Sequence, residues 1–184
     1  MIEYNLISEN EESTVIAQYE SQVVRESDYQ SEADLERAFI RQLENQKYER
    51  LHIHHEQDLI ANLRKQIERL NDYTFTDGEW RRFFEGCIAR RNDGIEEKSF
   101  IIQEDYIQVL ERDGGKLPKN IYLIDKRNIH NNHLQVINQY EVDNGTHKNR
   151  YDVTILVNGL PLVHVELKRR GVLLKEAFNQ INRY

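Results

Sequence analysis

RYDVTILVNGLPLVHVELK, residues 150–168, is the stretch on which the fold turns. Two runs rich in β-branched and aliphatic residues, 151–157 and 162–167, flank Asn158-Gly159, the dipeptide that most strongly signals a tight turn between antiparallel strands. A β-hairpin is therefore expected. Alternation along its second strand puts Val163, Val165 and Leu167 on one face and His164, Glu166 and Lys168 on the other. Along the first strand, Tyr151, Val153, Ile155 and Val157 share one side, and Asp152, Thr154 and Leu156 share the other.

Register decides what the two acids can do together. A two-residue loop pairs Val157 with Leu160 and sets Asp152 against Val165, which sends Asp152 and Glu166 to opposite faces. One extra residue, in a three-residue loop or in a bulge, pairs Val157 with Pro161 and Asp152 with Glu166. This second register is expected, because it also gathers the apolar residues of both strands on one face. Directly opposed side chains stand about 5 Å apart at Cβ, near enough for two carboxylates to share one divalent cation at roughly the 2.1 Å of Mg²⁺. Lys168 lies two residues beyond Glu166 on the same face.

An Asp on one strand and Glu-x-Lys on the next is the constellation of the PD-(D/E)xK nucleases. Residues 157–168, VNGLPLVHVELK, strongly resemble the hairpin in the nuclease domain of the motor (R) subunit of type I restriction enzymes, and residues 177–184, AFNQINRY, resemble that family's QxxxY element, carried by Gln180 and Tyr184. The resemblance implies an α/β domain with a PD-(D/E)xK restriction-endonuclease-like core, a mixed β-sheet flanked by helices, with extra amino-terminal helices. It implies cleavage of double-stranded DNA with Mg²⁺, for which Mn²⁺ can substitute. Asp152, Glu166 and the Leu167 carbonyl would then hold the metal, and Lys168 would position or deprotonate the attacking water. Glu36, on the first helix, would help hold the metal or its water, and Gln180 and Tyr184 would contact DNA. One departure stands: the usual Pro before the catalytic Asp is Tyr151 here.

The family's R subunit is far longer and continues into helicase-like motor domains, so residues 1–184 are expected to be a single amino-terminal endonuclease domain, cut short at its carboxyl end. ATP would enter only through those absent motor domains. The partners implied are methyltransferase and specificity subunits, the latter reading the DNA site. An alternative keeps the fold without turnover, as a DNA-guiding or subunit-docking module, and DNA nicking separates the two.

Composition limits the rest. A chain of 184 residues buries roughly 70% of its unfolded surface without staples, and its single Cys87 forms no internal disulfide. A net charge of −7 argues against a free-standing DNA-binding module, since phosphate contacts supply most non-specific affinity. Positive charge is local instead: His147, Lys148 and Arg150 precede Asp152, and Lys168, Arg169 and Arg170 follow Glu166, a basic rim suited to a phosphodiester. Gly114-Gly115 lacks the G-x-x-x-x-G-K-[ST] run of an ATP-binding loop. The acidic amino terminus is no secretory signal, and no run is apolar enough to span a membrane, so a cytoplasmic protein is expected.

Helical periodicity predicts helices over residues 31–46, where Leu35, Ala38, Phe39 and Leu43 form a stripe, and over 57–70, 95–103 and 173–184. Thr76 with Glu79 forms a capping-box pattern that opens a helix through Trp80, Phe83, Phe84, Cys87 and Ile88. Strands are expected over 15–19, 22–25, 48–55, 106–111, 121–124 and 134–140. His52, His54 and His55 lack a partner cluster at ligand spacing and are taken as surface or satisfied histidines. The 151–167 hairpin is expected at the centre of the sheet, with the helices of 31–46 and 173–184 against it.

Overall fold

The structure, a computed structural model, describes residues 4–8, 16–19, 31–90, 93–143 and 148–168. The chain divides into two compact units, residues 1–31 and 32–184. In the first, β1 (Tyr4–Ser8) and β2 (Ile16–Tyr19) pair antiparallel, with Tyr4 opposite Tyr19. The strand expected over 22–25 lies outside the described residues.

The second unit runs α1 (Glu32–Asn45), β3 (Glu49–Arg50), α2 (Glu56–Asn71), α3 (Asp77–Phe83), α4 (Ile95–Gln103), β4 (Ile107–Leu110), β5 (Lys119–Tyr122), β6 (Leu134–Asp143), β7 (Lys148–Val157) and β8 (Leu160–Val165). Its main sheet has the order β3-β6-β7-β8. β3 is parallel to β6 and the remaining pairs are antiparallel, so the sheet is mixed and the domain is α/β. β4 and β5 form a separate antiparallel ribbon. The expected hairpin is β7–β8, but only β7 is interior; β8 is the last strand of the sheet among the described residues. The helix expected over 173–184 lies outside them.

Two helices cover the two faces of the sheet. On one, Ile40 and Leu43 of α1 pack on Val136 and Val153, with Ile155, Val165 and Leu167 alongside. On the other, Ile53 and Leu59 pack on Ile137, Tyr140 and Leu156. A third cluster joins α2, α3, α4 and the β4–β5 ribbon through Leu63, Ile67, Phe75, Trp80, Phe83, Ile101, Leu110 and Ile121, and Leu160 of β8 closes onto it. The stripe of α1 and the apolar residues of the helix opened by Thr76 are buried or half-buried as their periodicity marks, although on α1 the most buried residue is Ile40 rather than one of the four expected.

Three local departures have physical causes. The strand expected over 48–55 keeps only Glu49–Arg50 in the ladder. Leu51 still donates to the Val136 carbonyl at 2.9 Å, and the chain then leaves the sheet to bury Ile53 and begin α2 at Glu56. The helix opened by Thr76 widens into a π-turn over Phe84–Ile88, where the Ala89 amide reaches the Phe84 carbonyl at 2.7 Å. That wider turn lets Phe84, Cys87 and Ile88 all pack on the cluster holding Trp80 and Phe83. The third departure is the hairpin register.

The turn itself is the two-residue Asn158-Gly159 type, with φ of 51° and 82°, so Val157 pairs with Leu160 and Leu156 with Pro161. The expected Val157–Pro161 pairing is thus incorrect. A bulge follows at once: Ile155 pairs with Val163, leaving Leu162 as the extra residue, and the ladder continues through Thr154–His164 to Val153–Val165. The next step of that register sets Asp152 opposite Glu166. The bulge restores the alignment that the short turn alone would have lost.

Candidate active site

Asp152 comes from β7, while Glu166 and Lys168 follow the last rung of β8. The Asp152 Oδ2 accepts a hydrogen bond from the Leu167 amide at 2.8 Å, which ties the strand end to the acid. The contact of Leu167 that the geometry displays is this amide. Lys168 Nζ donates to Glu166 Oε1 at 2.7 Å, and the Glu166 side chain is only 4% exposed against 21% for Lys168. Its other oxygen, Oε2, is buried and has no hydrogen-bond partner among the described residues. Burial alone would push the Lys168 ammonium's pKa down. The hydrogen bond and charge of Glu166, with the charges of Glu32 and Asp152, outweigh it and hold the pKa above the usual lysine value.

A buried carboxylate oxygen without a donor is costly, and an isolated Lys–Glu pair does not require one. A hard divalent cation would satisfy it. Among the described residues no three His, Cys, Asp or Glu side chains gather into a metal-binding group. Two carboxylates nevertheless suit Mg²⁺, which retains several waters and takes further oxygens from substrate phosphates. The oxygen-only donor set of Asp152 and Glu166 fits that ion.

Glu36 lies on α1 and reaches β6, where it accepts from Asn138 Nδ2 at 2.7 Å and from Gln139 Nε2. Glu32, one turn earlier on the helix, is a further acid whose charge acts on Lys168, so the amino-terminal half of α1 faces this end of the sheet. Gln139 has φ of 55°, the left-handed region that non-glycine residues seldom adopt. No pattern in the chain marked Asn138 or Gln139, because a left-handed residue inside a strand leaves no periodic trace.

His164, opposite Thr154, shares a hydrogen bond with its hydroxyl (Nδ1 to Oγ1, 2.9 Å), and its ring stacks on Tyr151 with centroids 4.0 Å apart. Burial lowers its pKa and favours the neutral ring. Tyr151, expected on the side of Val153, instead packs with Leu156 and Tyr140 on the opposite face. His52, His54 and His55 are exposed. Arg169, Arg170, Gln180 and Tyr184 lie outside the described residues.

A mixed sheet with a helix on each face, carrying Asp152, Glu166 and Lys168 at the open end of one hairpin, is the arrangement of the PD-(D/E)xK nuclease class. A family model for the type I restriction enzyme R protein N terminus matches residues 29–184, and the chain belongs to that family. It is 48% identical over 179 residues to the EcoprrI type I restriction enzyme endonuclease subunit of Escherichia coli, an alignment covering 97% of this chain and 56% of that protein. It is 41% identical over 163 residues to a type I restriction enzyme endonuclease subunit of Staphylococcus saprophyticus, covering 85% of this chain and 17% of the relative. A Staphylococcus aureus (strain COL) subunit is similar at 40% identity with the same coverage. The chain thus spans about half the length of the first relative and about a sixth of the others. Among the described residues no helix is long and apolar enough to cross a membrane.

Proposed function

We propose that this chain is the Mg²⁺-dependent nuclease part of a type I restriction enzyme and hydrolyses phosphodiesters of double-stranded DNA. The observation that carries the reading is the buried Oε2 of Glu166, unpartnered among the described residues, set beside Lys168 and one step beyond the Val153–Val165 pair that leads to Asp152. Asp152 and Glu166 hold the cation, with the Leu167 carbonyl as a further oxygen donor. Bound Mg²⁺ supplies Lewis-acid polarisation of the phosphoryl oxygens. The Leu167 amide keeps Asp152 pointed along the strand end. The Lys168 ammonium, partly withdrawn from water, orients the attacking water and offsets charge that develops on the phosphoryl group. Gln180 and Tyr184 contact the DNA on the strength of the family resemblance, and Arg169 and Arg170 do so as part of the basic rim that follows Glu166.

In the complete enzyme, cutting follows ATP-driven translocation by motor domains outside this chain, in a complex with methyltransferase and specificity subunits in the cytoplasm. The test uses that complex and supercoiled plasmid with Mg²⁺. Lys168→Ala is expected to lower DNA cutting at least about a hundredfold, equivalent to about 3 kcal/mol of transition-state stabilisation, while ATP hydrolysis continues. Cutting at the wild-type rate by that variant removes Lys168 from the mechanism. No cutting by the wild-type complex favours a DNA-guiding module.

A further inference from the structure

The ladder between β6 and β7 holds one register from Leu134–Val157 to Asp143–Lys148, yet it is interrupted at a single step, Gln139 opposite Asp152. On either side of that step the faces are exchanged. Ile137 and Tyr140, three apart, pack in one cluster, as do Tyr151 and Leu156, five apart. A regular strand puts only residues an even number apart on one face. One residue in each strand therefore absorbs a reversal without shifting the register. On β6 the reversal is visible as the left-handed φ of Gln139, and the residue facing it is Asp152.

Without this paired break, Asp152 would continue the side of Thr154 and Leu156 and face the cluster of Ile53, Ile137 and Leu156. With it, the Asp152 carboxylate meets the Leu167 amide, one residue past its register partner Glu166. The Gln139 side chain is held in turn by Glu36 of α1, which also takes the Asn138 amide. Backbone held in a sparsely populated conformation persists where its surroundings over-determine it, and such places concentrate at functional sites.

We infer that the Gln139–Asp152 break, clamped to α1 through Glu36, is a positioning device that turns the Asp152 carboxylate out of the sheet face and toward Glu166 and Lys168. Gln139 and Glu36 are positioning residues: they act through Asp152 and Asn138 and touch no substrate. The inference rests on the nuclease reading for its purpose, though not for its geometry.

Amide hydrogen exchange without metal tests the geometry. Gln139→Val, whose β-branched side chain resists positive φ, is expected to speed exchange at the Leu167 amide at least about tenfold, while the Leu51 amide, bonded to Val136 outside the break, keeps its rate. Gln139→Asn tolerates the left-handed region and should retain most of the Leu167 protection. Unchanged Leu167 exchange in a folded Gln139→Val protein overturns the inference. If that variant does not fold, Glu36→Gln, which replaces the clamp's charge and leaves the backbone alone, must show the same local acceleration, and its absence overturns the proposal equally. Mn²⁺ calorimetry separates the two readings. Binding lost in Asp152→Ala and weakened at least about tenfold in Gln139→Val supports both. Wild-type protein whose Mn²⁺ binding is indifferent to Asp152→Ala overturns the metal site and with it the purpose assigned to the break.

Discussion

Glu79 is a buried acid, outside the candidate site, that three donors hold in place. It is 3% exposed and accepts from the Thr76 amide (3.0 Å), the Asp113 amide (2.9 Å) and the Tyr73 hydroxyl (2.9 Å). Burial works to raise its pKa, but the two amides and the phenol outweigh it and the carboxyl is held below the usual glutamate value. A depressed carboxyl contributes stability that is fully present above its unfolded pKa of about 4.3 and is lost as pH falls through the lower folded value. Glu79→Gln leaves a donor facing donors, so it is expected to destabilise by about 2–3 kcal/mol at neutral pH. Melts below pH ~5 should show a shallower acid loss than the wild type. The capping box that Glu79 closes with Thr76 was legible in the sequence. Its bond to Asp113 was not, because that partner arrives from a distant turn. At the proposed metal site the corresponding prediction is that Asp152→Ala or Glu166→Ala abolishes Mg²⁺ or Mn²⁺ binding by calorimetry; undiminished binding counts against the ligand assignment.

At the level of elements, the β7–β8 turn matters for what it touches as well as for what it joins. Asn158 is 1% exposed; its side chain accepts from the His133 amide at 2.7 Å and donates to the Leu123 carbonyl at 3.0 Å and to Asn132 Oδ1 at 2.8 Å. A Cβ on Gly159 would stand 2.6 Å from the Leu63 Cα of α2. The turn is therefore seated on helix backbone that cannot yield. Gly159→Ala, which combines overpacking with a positive φ, is expected to destabilise by about 3 kcal/mol. For a chain of this length that is a drop of roughly 6–12 °C in Tm, read by thermal denaturation. The opposite sign is expected at the end of α1. Lys47 sits there with φ of 73°, the Tyr48 amide bonds to the Leu43 carbonyl at 3.1 Å and the Lys47 amide to the Glu44 carbonyl at 2.9 Å, a Schellman closure that prefers glycine. Lys47→Gly should stabilise by about 0.5 kcal/mol, the left-handed strain relieved less the added unfolded-state entropy.

For the molecule as a whole, charge sets the expectation. With net −7, this chain alone should nick supercoiled plasmid weakly or not at all in Mg²⁺, whereas under the proposed function the complete enzyme should cut it, since phosphate contacts supply most non-specific DNA affinity. Efficient nicking by the chain alone would show that its own basic rim suffices. The positions of the described helices, the Asn158-Gly159 turn and the spacing of the two acids and the lysine could be taken from the sequence, because periodicity, turn chemistry and short spacing are local properties of the chain. Local rules did not locate the bulge at Leu162, the reversal at Gln139 and Asp152, the π-turn after Phe83, or the place of β8 as the last strand of the sheet among the described residues. Each of these depends on contacts made across the fold. The bulge aligns Asp152 with Glu166 after a short turn, the reversal exchanges faces between two helices' clusters, and the π-turn fits three more apolar side chains to one core. Sequence determined which ionisable side chains stand at short spacing, and tertiary packing decided how those groups meet, since only the assembled layers determine which of several locally acceptable backbone paths buries the apolar faces.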